Sequence, residues 1–197
     1  MLLAPLLLLI GFVIHPPEPH DSAQLLDVIS VNTARWNAAH LMFGLSMVLS
    51  IPAVVGLVRL LEHGGRGGGF GLIGASLAII GVIFLTLFIG IELAMSAIAS
   101  VPMEQHAAIE PAVQALVDFK GPLPVVFMGL SLNLGLFVLA VGLISMRAVP
   151  RWTSVAIIVA AVVLVGGLFN NAIGAVGATV LLVGLGAIGM RVLKLVQ

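Results

Sequence analysis

The chain has no cysteine, no tyrosine and few charges. Of its 197 residues only 8% are Asp, Glu, Lys or Arg, against about a quarter in a soluble domain. Without cysteine there can be no disulfide, no thiolate metal site and no thiol nucleophile. The formal net charge is zero and no basic cluster stands out, which argues against nucleic acid as a partner. Common catalytic signatures are missing too: no G-x-S-x-G, no H-E-x-x-H, no P-loop and no dinucleotide fingerprint.

What is there is apolar. Hydrophobic residues make up 61% of the chain. A soluble core of this size cannot absorb that much apolar surface, so the bilayer must act as solvent for most of it. The 23 glycines suit helices that approach closely in lipid. The sequence predicts an all-α polytopic membrane protein, a single helical domain over residues 1–197.

Six spans are expected, at about 2–14, 34–61, 70–99, 122–146, 152–169 and 172–190. The first is short, since such a helix reaches only ~20 Å across a ~30 Å hydrocarbon core. Its flanks lack the basic start and small-residue cleavage site of a signal peptide. Pro16, Pro17 and Pro19 stop it. Thr33 is the expected N-cap of the second span, Trp36 its interfacial anchor, and Pro52 a kink. Gly74 and Ala78 form a small-xxx-small pair that predicts a close helix contact.

Two long connections carry amphipathic patterns. Asp21 or Ser22 can cap a helix whose stripe holds Leu25, Val28 and Ile29. In the second, Pro111 suits a first turn, and Ile109, Val113, Leu116 and Lys120 share a face. Both are expected to lie as short helices on the extracytoplasmic membrane surface.

Basic residues set the orientation. Arg59, Arg66, Arg147, Arg151, Arg191 and Lys194 fall on one side of a six-span arrangement, while only Arg35 and Lys120 fall on the other. The positive-inside rule places the first side, with both termini, in the cytoplasm.

The most informative single residue is Glu92, the one charge within the stretch 71–99. An acid in a spanning helix costs roughly 2.5–3.5 kcal/mol on insertion scales, so it marks a candidate site. His40 on the neighbouring span lies at a similar expected depth. Asn37, His40, Gly44 and Met47 share one helical face. Asn133 sits deeper in the fourth span, and Arg35 lies at the pocket rim, where it can pair with Glu18 or Asp21. These residues predict an outward-facing polar pocket around His40 and Glu92, with Asn37, Asn133 and Arg35 as further ligand contacts. A metal reading draws on His15, His20, His40 and Glu92, although H-x4-H in a proline-rich loop matches no compact ligand motif. The plain alternatives are that Glu92 and Asn133 bond across helix interfaces, that His40 packs with a polar tip, and that Asn170 and Asn171 only form a turn.

The HPP closing the first span and the RWNAAH opening the second resemble those of small polytopic membrane proteins of bacteria with GC-rich genomes, and the Ala/Val/Leu/Gly-heavy spans fit that resemblance. It implies an inner-membrane location and no particular activity. The expected function is binding of a small hydrophobic, lipid-like ligand or a metal. The alternatives are an assembly subunit that packs against other membrane subunits or its own copies, and an enzyme acting on a lipid-soluble substrate. No cofactor is specified.

Overall fold

The computed structural model describes residues 1–17, 19, 22–63, 68–120 and 122–196. Among them the fold is all-helical, with eight α-helices, one short 3-10 turn at Met103–Gln105 and no strand. The helices are α1 Leu3–Ile14, α2 Ser22–Val31, α3 Thr33–His63, α4 Gly68–Ala99, α5 His106–Lys120, α6 Pro122–Ser145, α7 Arg151–Gly167 and α8 Asn171–Val196.

Three stretches are long and apolar enough to cross a membrane: Thr33–Glu62, Gly68–Ala99 and Asn171–Leu193. Shorter apolar helices occupy Leu3–Ile14, Gly129–Ser145 and Arg151–Gly167. The long ones are apolar on nearly every side. Leu72, Leu87 and Val183 stand well exposed, at 71%, 60% and 54%. A surface of that kind is stable against lipid and not against water.

Six helices close a ring in chain order. α1 packs on α3, α3 on α4, α4 on α6, α6 on α7, α7 on α8, and α8 returns to α1. Neighbours run antiparallel, so the start of α1 meets the end of α8: a Cβ built on Gly189 would lie 3.3 Å from Met1 Cβ. The contact between α3 and α6 crosses the ring and sets α4 outside the lumen. The remaining lumen is a small apolar cavity between residues such as Ala4, Ser50, Ala53, Leu132, Leu164 and Leu185.

Glycine decides two of these contacts. A Cβ on Gly81 would fall 2.3 Å from the Leu132 backbone nitrogen, and one on Gly135 would fall 2.4 Å from that of Ala78. Here α4 and α6 touch backbone to backbone, around the small Gly74–Ala78 pair. On the other side of the ring, a Cβ on Gly167 would sit 2.6 Å from the Gly174 Cα, which joins α7 to α8 in the same way.

Local chemistry fixes the ends. Asn170 caps α8, its Oδ1 accepting from the Ala172 and Ile173 amides at 2.9 and 3.2 Å. α6 closes through Arg147, whose φ of 52° is the left-handed conformation usually given to glycine. Other ends depart from expectation. Thr33 does not cap α3; its hydroxyl donates back to the Ile29 and Ser30 carbonyls, closing α2. α2 and α3 are separated only by Asn32. α3 contains Pro52 in its interior, as the expected second span does. α5 begins at His106, so Pro111 lies beyond its first turn.

α2 and α5 also differ from the expected surface helices. They pack on each other and on the ends of α3 and α4. Leu25, Leu26, Ile29 and Val113 turn inward and form a second core with Trp36, Met95 and Ala99. Their apolar stripes are satisfied by protein, because two stripes brought together at a bundle end bury more than either alone could.

Candidate functional site

The site lies beneath this cap, at the end of the bundle opposite Met1. His15 follows the last turn of α1, where its amide donates to the Gly11 carbonyl at 2.9 Å before Pro16 and Pro17 turn the chain away. The antiparallel α3 brings Trp36, His40 and Phe43 alongside it. The ring centroids of His15 and Trp36 are 4.9 Å apart, those of His15 and His40 5.0 Å, and those of Trp36 and His40 4.6 Å. Phe43 closes the group from below, 5.8 Å from His40.

α4 supplies the acid. Trp36 Nε1 donates to the main-chain carbonyl of Glu92 at 3.0 Å, which fixes the register of α3 on α4 at this level. Glu92 is 2% exposed and Ser96, one turn on, 4%; His40 and His15 are 4% and 8%. An ionisable side chain just after α1, one on α3 and one on α4 are thus each buried at this end of the bundle. His40 Nδ1 lies 2.9 Å from the Trp36 carbonyl. A carbonyl only accepts, so Nδ1 carries the proton, and in a neutral ring Nε2 is the basic nitrogen. His15 Nδ1 donates to the Pro16 carbonyl at 2.6 Å by the same reasoning.

The cap is tied down by one side-chain pair. His106 on α5 places Nδ1 3.1 Å from the Asp27 carboxylate on α2 and Nε2 3.0 Å from the Val101 carbonyl. Both nitrogens face acceptors, and a ring with one proton can serve only one of them.

The expected site residues divide. His15 and His40 lie ring to ring, and the main chain of Glu92 meets Trp36 beside them. Asn37 is half-buried on α3, and its Oδ1 has no hydrogen-bond partner among the described residues. Arg35 is exposed and donates through Nε to the Ile14 carbonyl, bracing the end of α1; Glu18 and Asp21, its expected partners, lie outside the described residues. Asn133 stands apart. Its neighbour Leu132 packs on Gly81, about 16 Å along α4 from Glu92 at 1.5 Å per residue. Its amide bonds back to Gly129 of its own helix at 2.8 Å, while its buried Oδ1 has no partner among the described residues. His20 lies outside the described residues. Among those described, no group of three or more His, Asp or Glu side chains could hold a metal ion.

Two features escape sequence reasoning. Trp36 is not an interfacial anchor: it is wholly buried, with its indole N–H spent on Glu92. Asn171 joins α8 to α1, its amide lying 3.4 Å from the Pro16 carbonyl and 3.5 Å from the His15 carbonyl. The Asn170-Asn171 pair carries a signal for a cap, and nothing in it points to a residue so far away in the chain.

Chemically, the cluster offers a basic imidazole nitrogen, a carboxyl group and stacked aromatic faces in a water-poor place. That combination suits a molecule with a polar head and an apolar body. Comparison with protein-family models, with curated proteins and with solved structures gives no match.

Proposed function

We propose that the chain is a six-span membrane protein that binds a small lipid-like ligand at the His15–His40–Glu92 cluster. In this reading α1, α6 and α7 cross the bilayer together with α3, α4 and α8. The closed ring supports it, because each shorter helix packs against at least one longer one. Their outward side chains are also apolar: Leu3 and Val13 on α1, Val155 and Val162 on α7. The α6 helix is 24 residues long, or about 36 Å, enough to span. Both termini are cytoplasmic, and the cap is extracytoplasmic.

One observation carries the ligand reading: His15, His40 and Glu92 are each less than a tenth exposed, with the two histidine rings 5.0 Å apart and the Glu92 main chain bonded to Trp36 beside them. Burying ionisable groups in a membrane protein is costly, and such groups usually face a ligand or pathway. The ligand's head bonds Glu92 and His40, and its apolar part lies on Trp36 and Phe43. A metal is the less favoured occupant, since the described residues bring no third protein ligand to the two histidines.

The test is mass spectrometry and metal analysis of protein purified in mild detergent, wild type against Glu92→Gln. A stoichiometric lipid-like molecule retained by the wild type and lost in the variant is the expected result. An empty wild type would overturn it. Co-purification of that empty protein with other membrane polypeptides would favour an assembly subunit.

A further inference from the structure

At the opposite end of the bundle, three arginines stand at about one level. Arg147 and Arg151 flank the short turn between α6 and α7. α8 runs antiparallel to α7, with Gly184 seated against Thr153 and Ile157. That register carries Arg191, about two turns further on, to the level of the turn. All three are exposed. No Asp or Glu occurs anywhere in residues 119–197, so α6, α7 and α8 have nothing of their own to neutralise this charge.

Two further observations say what does. Trp152, next to Arg151, is 55% exposed in the first turn of α7. A tryptophan so placed on an apolar bundle belongs at headgroup depth, which sets the neighbouring guanidinium groups at the level of lipid phosphates. Arg147 also holds the left-handed backbone position where glycine is the cheaper residue. Arginine is the costlier residue there, and a contact made by its guanidinium would offset that cost. We propose that Arg147, Arg151 and Arg191 form a binding site for the headgroup of an anionic phospholipid, with Trp152 against its glycerol and upper acyl region. The planar, multi-donor guanidinium suits a phosphate diester better than a point charge does. This site is separate from the ligand cluster at the other end and stands or falls independently of it.

The experiment uses the whole chain in vesicles and reads quenching of tryptophan fluorescence by brominated phosphatidylglycerol or brominated phosphatidylcholine. The other tryptophan, Trp36, is buried at the far end, and Trp152→Phe supplies its background signal. The expected result is enrichment of the anionic lipid at Trp152. It should fall about fivefold for each arginine replaced by glutamine and vanish in the triple variant. Arg59→Gln, at the same end but on α3, should leave it unchanged. Arg147→Gly keeps the turn and relieves its backbone, so its thermal midpoint in neutral lipid should hold or rise while the anionic preference drops. Equal quenching by the two lipids, a preference that survives the triple variant, or an equal loss in Arg59→Gln would each overturn the site.

Discussion

The indole N–H of Trp36 donates to the main-chain carbonyl of Glu92 at 3.0 Å, across two antiparallel helices. This bond sets the level at which α3 meets α4 and lies at the junction of the bundle with its cap. An α-helix ordinarily satisfies its own carbonyls, so the bond acts as a latch between two rods that would otherwise slide.

Trp36→Phe should therefore be costly in spite of its conservative shape. It removes the bond and leaves an imperfectly filled site in the second core. The expected loss is about 1–3 kcal/mol, read as a lower unfolding midpoint by circular dichroism in detergent. A midpoint equal to that of the wild type would mean the bond adds nothing to packing.

The backbone contact of α4 with α6 makes a paired prediction. Gly81→Leu must force the helices apart, because its Cβ would lie 2.3 Å from a backbone atom that cannot rotate away. A loss of at least ~2 kcal/mol is expected. Gly90→Ala, on the same helix, meets nothing within 4 Å. It should be neutral or stabilising by up to ~1 kcal/mol, since alanine is the better helix former. Thermal unfolding of the two variants side by side checks the contrast.

Asn170→Ala should cost about 1 kcal/mol through the lost cap of α8. Asn171→Ala should act differently, by loosening the end of α1. Hydrogen exchange separates them. The first variant speeds exchange in the first turn of α8, and the second in the last turn of α1.

The His106–Asp27 pair should contribute little to global stability. Asp27 is 54% exposed, and ion pairs in contact with water couple by about 1 kcal/mol or less. A double-mutant cycle with His106→Ala and Asp27→Asn should give a coupling in that range at low salt, and less at high salt. A much larger coupling would show the pair to be shielded by the cap.

The helices themselves were largely legible. Long apolar runs, the Pro16-Pro17 stop and the Asn170-Asn171 turn act within a few residues, and their outcome does not depend on distant parts of the chain. The Gly74–Ala78 pair forecast a close contact correctly, because the absence of a side chain is itself local. The amphipathic stripes of α2 and α5 were legible as stripes, but the surface they would cover was not. A stripe facing lipid and a stripe facing protein have the same period. Trp36 failed for the same reason: at a helix start an interfacial ring and a core ring look alike.

The site was legible in part. Glu92 and His40 stood out because charge is scarce in this chain, and a lone ionisable group in an apolar run is conspicuous. His15 was harder to place, since it sits at the edge of a loop. Asn133 drew attention as a polar residue in a span, yet its amide bonds within its own helix.

By itself, then, the sequence determined that this chain is helical and membrane-suited, roughly where its long apolar helices lie, and that its charges separate along it. Those properties follow from hydropathy, proline and glycine chemistry and charge, which act locally. Only the tertiary structure decided that the helices close into a ring in chain order, that α2 and α5 fold over one end, and that Asn171 reaches His15. Those outcomes depend on which faces meet, and faces of equal hydrophobicity are told apart only by the shape of what packs against them.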